Sequence, residues 1–231
     1  MTTQSCGPHL CQPDKQKSCA WCCGLYNSYH RNRAELAREL KARTEEFART
    51  GRTVEAVLHF SESNRLKEKS QLLDPDFYAC EFVGFLNEEE TLVGCMLHPL
   101  ARGNGGADWR GLSFYGAMAC QGFFCRSYRE LSPFPKEIIL SAVNDWYLYG
   151  LLISDVDFIR GFFRLVEENS LDPATLSTVP ASKLLGEFFH SLAPLDQMFV
   201  SPSSKLCSLS EDERAEEKLN LLFSRLKKVV Q

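Results

Sequence analysis

Two cysteines separated by two residues and followed at once by a third, Cys19-Ala20-Trp21-Cys22-Cys23, are the most chemically pointed stretch of this chain. A two-residue spacer lets a tight turn present the Cys19 and Cys22 thiolates to one ion. The side chains of adjacent residues diverge, so Cys23 calls for a second metal or for a partner from elsewhere. Remote thiols stand at Cys80, at Cys95 with His98 three residues later, and at Cys120 with Cys125 five residues later. The expected chemistry is thiolate ligation of zinc, with iron or an iron–sulfur cluster as the alternative, because each accepts four thiolates. Cys19, Cys22, Cys23, Cys80, Cys95, Cys120 and Cys125 form the expected ligand set. Seven thiolates fall one short of two four-thiolate sites, which makes His98 or an N-terminal cysteine, Cys6 or Cys11, the natural eighth ligand.

These segments resemble the YkgJ-like cysteine-cluster family, described as a zinc- or iron-chelating domain. Its pattern joins a C-x2-C-C element to a later Cys-Phe-Leu-like segment, a Cys-x-Ile-His/Tyr segment and a closing Cys-Arg element. Cys19-Ala20-Trp21-Cys22-Cys23 is similar to the first and Cys80-Glu81-Phe82-Val83-Gly84-Phe85-Leu86 to the second. Cys95-Met96-Leu97-His98-Pro99 is similar to the third, and Cys120 with Cys125-Arg126 to the last. Gln16 stands where the family has an opening cysteine, and Cys11 or Cys6 substitutes from a different spacing. The resemblance covers residues 6–126 and implies a bound zinc ion or an iron–sulfur centre, without a particular reaction.

The cysteine distribution also bears on compartment and organisation. Of ten cysteines in 231 residues, five lie between Cys6 and Cys23 and four between Cys80 and Cys125, while Cys207 stands alone and reads as a small buried hydrophobe. No secretory n-region and h-region can be drawn in Met1 to Leu10, so the expected compartment is a reducing cytoplasm, where clustered cysteines are metal ligands or redox groups rather than disulfides. The longest apolar run, Trp146 to Ile153 around Gly150, is far short of a membrane span. A net charge of −4, from 26 Lys and Arg against 30 Asp and Glu, is not the field of a dedicated nucleic-acid binder. The expected partners are a metal ion and a further protein, with no membrane.

The elements that must position these thiols read as mainly α, with a small irregular or short-strand cysteine-rich region. The boundary falls at Ser132-Pro133-Phe134-Pro135, giving a metal-binding region 1–130 and a helical region 131–231 packed on it as one unit. Helices are expected over Tyr29–Arg49, with Leu36, Leu40 and Phe47 on one stripe, and over Val54–Leu73, with Val57, Leu58 and Leu66. Two short extended segments are expected around Phe82 to Leu86 and Leu92 to Leu97. In the back region, Ile138, Ile139, Ala142, Val143 and Trp146 form one face, and Phe158, Ile159, Phe162, Phe163 and Val166 another behind a Ser154/Asp157 capping box. Leu184, Leu185, Phe188, Phe189 and Leu192 form a third, and Leu219, Leu222, Leu226 and Val229 lie on a last helix opened by Ser210 and Glu213.

Other chemical readings are weaker on their spacing. Arg102-Gly103-Asn104-Gly105-Gly106 lacks the Lys-Ser/Thr ending of a phosphate loop and reads as a flexible connector. Arg31 to Arg52 carry interspersed glutamates, which makes a solvated, salt-bridged face. Asp155 and Asp157 suit a helix start better than an ion. The function expected is a cytoplasmic protein holding zinc or iron through clustered thiolates. The rivals are an iron–sulfur redox enzyme or electron carrier, whose glycine-rich loop admits substrate, and an interaction module with a structural zinc. In that last reading, Phe158, Phe162, Phe163, Phe188 and Phe189 dock a partner.

Overall fold

The computed structural model describes residues 10–27, 32–68, 72, 76–192 and 213–229. Cys6, Cys207, Tyr29 and Ser210, each used in a sequence reading, lie outside them. The fold is mainly helical. A single 3-10 turn at Trp21–Cys23 precedes α1 (Arg33–Arg49) and α2 (Val54–Glu68), and then come β1 (Val83–Phe85) and β2 (Val93–Cys95). A second 3-10 turn, Arg110–Leu112, leads to the short α3 (Gly116–Gly122) and α4 (Arg126–Glu130). The remaining helices are α5 (Pro133–Ala142), α6 (Trp146–Ser154), α7 (Val156–Glu168), α8 (Pro173–Leu176), α9 (Val179–Leu192) and α10 (Glu213–Val229).

Local sequence explains most of these boundaries. Asn32 opens α1 with a capping box, its side chain accepting from the Glu35 amide at 2.9 Å while Glu35 reaches back to the Asn32 amide. Pro133 occupies the first turn of α5, where its missing N–H costs nothing, so the prolines at the expected boundary start a helix. The apolar stripe Ile138 to Trp146 spans two helices instead of one. Asp145 separates them, its carboxylate accepting from the amides of Tyr147 and Leu148 as N-cap of α6. Asp155, not Ser154, caps α7 by accepting from the Phe158 amide at 2.9 Å, while the Ser154 hydroxyl turns back to the Leu151 carbonyl.

α6 is the centre of the molecule. Eight of its nine residues, Trp146 to Ile153, are buried, and a helix that is apolar all round must be covered on every side. α5, α7 and the cysteine turn at residues 21–23 pack on it. Its cluster of buried side chains runs from Leu10, Leu25, Leu36 and Leu40 through Val83 and Val93 to Phe162, Phe189 and Leu226, so one core draws on both sides of residue 130. Phe158, Phe162, Phe163, Phe188 and Phe189 meet ring to ring in this interior, and so they offer no docking face. A smaller cluster of Phe47, Val57, Phe60, Phe82, Met96 and Leu97 lies under the hairpin. Here the buried face of α2 is Val57, Phe60, Ser61 and Asn64, whereas Leu58 points outward.

The hairpin β1–β2 is antiparallel, with Val83 opposite Cys95 and Phe85 opposite Val93. Its outer edge is closed by α1: Thr44 Oγ1 accepts from the Phe85 amide at 2.8 Å, and the Arg43 guanidinium donates to the Val83 carbonyl at 3.2 Å. Arg43 is therefore a buried strand-edge partner and not part of a solvated face. No helix among the described residues is long and apolar enough to cross a membrane.

The close approach of α9 to α5 rests on Gly186, where a Cβ would stand 2.5 Å from the Ala142 carbonyl oxygen. Gly186→Ala is expected to destabilise the protein by about 1–3 kcal/mol despite the better helix propensity of alanine. A lower urea midpoint at unchanged slope is the expected observation. A rise in the midpoint would show that the two helices are not so tightly apposed.

Candidate metal centre

The segment bearing the first cysteines lies over α6. The Tyr149 hydroxyl donates to the Leu10 carbonyl at 2.7 Å, and the Tyr26 hydroxyl donates to the Tyr147 carbonyl at 2.9 Å, so residues 10–26 are tied to this helix at both ends. Tyr26 reaches it because position 150 is glycine, where a Cβ would collide with the tyrosine hydroxyl. Within the segment, the Cys19 amide donates to the Cys11 carbonyl at 2.8 Å. The 3-10 turn at Trp21–Cys23 then closes on Gly24, whose φ of 77° and N–H to the Trp21 carbonyl form a left-handed cap.

That turn meets the chain again before the hairpin. The Cys80 amide donates to the Cys23 carbonyl at 2.8 Å, and the Val83 amide donates to the Cys80 carbonyl at 3.2 Å. Cys80 thus precedes β1, and Cys95 ends β2 directly opposite Val83. Cys120 lies in α3 with its sulfur 3.9 Å from the Ser113 hydroxyl, and Cys125 is the N-terminal cap residue of α4. All eight described cysteines carry free thiols, and all seven expected ligands are among them.

Burial dominates at three of these thiols: it raises Cys19, Cys80 and Cys95, the last to about 11, and outweighs the nearby backbone amides of Trp21, Phe82 and Leu97, which act the other way. Burial likewise raises Cys11 to about 11, with Cys22 and Cys125 adding to the effect. Cys22 moves the other way, lowered chiefly by the neighbouring Cys23 thiol, which is itself raised.

The groups around the thiols include two that sequence spacing did not disclose. Glu81, fully buried beside Cys80, accepts from the hydroxyls of Ser61 and Tyr78, and so fastens the Cys80 segment to α2. Arg110 forms a bidentate pair with Asp108 and lies within electrostatic range of Cys95 and Cys120. His98 stands apart. Its Nδ1 accepts the Leu100 amide at 3.1 Å, and burial, with Arg110 adding to it, lowers its pKa. The glycine-rich stretch is a built loop: buried Asn104 donates to the carbonyls of Met96 and His98 and accepts from Arg52, which stacks on Phe47. The cavity beside Cys23 and Cys80 has a volume of about 30 Å³, room for one water and not for an organic substrate.

Among the described residues, no group of three or more His, Cys, Asp or Glu side chains is placed so that it could hold a metal ion. Comparison of the chain with protein-family models, with curated proteins and with solved structures finds no match. The chemistry of the cysteines therefore rests on their own arrangement.

Gly24 controls the approach of Cys23 to Cys80: a Cβ there would fall 2.6 Å from Ala79 Cα and overlap the Tyr78 carbonyl oxygen. Gly24→Ala should cost about 2–4 kcal/mol, combining backbone clash with the left-handed conformation. The control is Gly105→Ala, at φ 56° with open space around it, which should cost about 1–2 kcal/mol from conformation alone. Urea unfolding compares the two, and faster hydrogen exchange of the Cys80 amide in Gly24→Ala alone is the expected local signature. Equal losses of stability and exchange in both variants would refute the close approach.

Proposed function

We infer that this protein binds zinc through its clustered thiolates and that the metal fastens remote chain segments together over α6. The observation that carries this reading is that the segments bearing Cys19–Cys23, Cys80 and Cys95 meet, through the 2.8 Å hydrogen bond from the Cys80 amide to the Cys23 carbonyl and the pairing of β1 with β2. A buried thiolate is stable only beside a cation. The three segments are far apart in sequence.

Zinc suits a bracing role because four thiolates saturate it and leave no open position. The small cavity at Cys23 and Cys80 agrees with a structural centre more than with one that admits substrate. The resemblance of the C-x2-C-C element to the YkgJ-like pattern points to the same donors. The setting is a reducing compartment, the cytoplasm, where free thiols persist and ligate metal. Ligand thiols lose their protons on binding, so the metal contributes directly to the stability of residues 10–27 and 76–125.

Elemental analysis and an absorption spectrum of anaerobically purified protein test this. Zinc near stoichiometry in a colourless protein is expected, with a lower melting temperature after chelation and a lower zinc content in Cys22→Ser. Iron with sulfide and a brown colour would replace zinc by an iron–sulfur centre on the same ligands. Neither metal near stoichiometry would overturn the reading.

A further inference from the structure

Two cysteines of this chain are joined through their backbones across a long sequence interval. The Cys80 amide donates to the Cys23 carbonyl at 2.8 Å, with α1 and α2 lying between the two residues in the chain. That bond limits how far apart their α-carbons can be. Standard backbone dimensions on either side of the 2.8 Å contact place the two Cα atoms at most about 6.7 Å apart, whatever the angle of the bond. Disulfides span about 4.4–6.8 Å between Cα atoms, so this pair is within reach without movement of the backbone.

The side chains share surroundings as well. Cys23 and Cys80 are both half-buried free thiols, both pack against the large core, and both border the cavity of about 30 Å³. Gly24 lets the two segments come this close, because a Cβ there would overlap the Tyr78 carbonyl oxygen. The pairings that sequence spacing suggests are less well placed. Adjacent residues such as Cys22 and Cys23 have Cα atoms about 3.8 Å apart, shorter than the usual disulfide span. Cys95 is held by the hairpin opposite Val83, three residues along the chain from Cys80.

We propose that Cys23 and Cys80 are a redox pair, closed to a disulfide by hydrogen peroxide and reopened by a dithiol reductant. One thiolate of the pair attacks a peroxide oxygen and the O–O bond breaks, which leaves a sulfenic acid on that cysteine and releases the other oxygen, once protonated, as water. The second thiolate then attacks the sulfenic sulfur, the S–S bond forms, and the sulfenic oxygen leaves as a second water. The two sulfurs together give up two electrons, and the peroxide takes them. A dithiol returns the two electrons by exchange and is itself oxidised to a disulfide. The cavity beside the pair suits an oxidant near the size of water and excludes a bulky one such as oxidised glutathione. Closure locks the turn at residues 21–23 to the segment that enters β1 and withdraws two thiols from metal ligation. Disulfide formation needs no metal, so the pair stands independently of the zinc reading.

In the test, the full chain is treated with a chelator, exposed to hydrogen peroxide, alkylated, digested without reductant and read by tandem mass spectrometry. The expected product is a pair of peptides joined through Cys23 and Cys80, lighter by two hydrogens than the free peptides and separated by dithiothreitol. Cys22→Ser should still form the link, whereas Cys23→Ser and Cys80→Ser should each lose it. Wild type carries the result without dependence on the folding of any variant, because fragmentation distinguishes Cys22 from Cys23. Cys23 joined to Cys22, or Cys80 joined to Cys95, as the main product would overturn the pair. So would thiols consumed to sulfinic acids with no crosslink formed. Zinc content, measured separately on untreated protein, keeps the two readings apart. Protein that holds no zinc and forms the link would support the pair and remove the zinc reading alone. Zinc-bound protein whose metal-free form makes no link would remove the redox pair alone.

Discussion

A helix with no solvent face governs this structure. Residues 146–153 are buried all round, so α6 is stable only if other segments enclose it, and they must do so with their own polar backbone satisfied. α5 and α7 cover part of the surface by ordinary helix packing. Residues 10–27 contain no α-helix and cover another part as irregular chain, whose carbonyls and amides need partners beyond regular secondary structure. Tyrosine hydroxyls supply the bonds across this interface: Tyr149 donates to Leu10, and Tyr26 donates back to Tyr147. Arg33 adds an ion pair to Asp145, the residue that caps α6, at 2.6 Å. Replacing Tyr149 by phenylalanine would strip the Leu10 carbonyl of its hydroxyl donor, which costs more than the bond itself contributes.

The cysteines occupy the part of the fold least able to hold itself by burial. The hairpin has three residues per strand, too few to be stable alone, and α3 and α4 are a few turns at most. What holds the hairpin is α1 along one edge, through Thr44 and Arg43, and the Phe47–Phe60–Phe82 cluster beneath it. α3 exposes Met118 and follows the exposed Phe114 and Tyr115, so it has little apolar anchorage of its own. Cross-linking by metal would act where it has most to add, between a well-packed helical base and short elements that pack poorly. Phe114 and Tyr115 still meet Tyr78 ring to ring, which leads α3 back to the Cys80 segment.

How much of this was readable in the sequence depended on the range of the interaction. Period-3.6 stripes found α7, α9 and α10, and the buried faces at Phe162, Phe189 and Leu222 follow from them. Paired short apolar runs around an acidic turn found the hairpin. Failures came where polar groups act at long range. Arg43 sits among charges that read as a solvated face, yet its guanidinium ends on a strand carbonyl forty residues away in sequence. Asn104 looked like part of a loose connector because nothing local marks its bonds to Met96, His98 and Arg52. The C-x7-C interval from Cys11 to Cys19 has no standard ligand meaning, and it does not disclose the hydrogen bond from the Cys19 amide to the Cys11 carbonyl. His98 stands at a C-x2-H interval from Cys95, and its Nδ1 accepts the Leu100 amide, a bond the interval does not disclose.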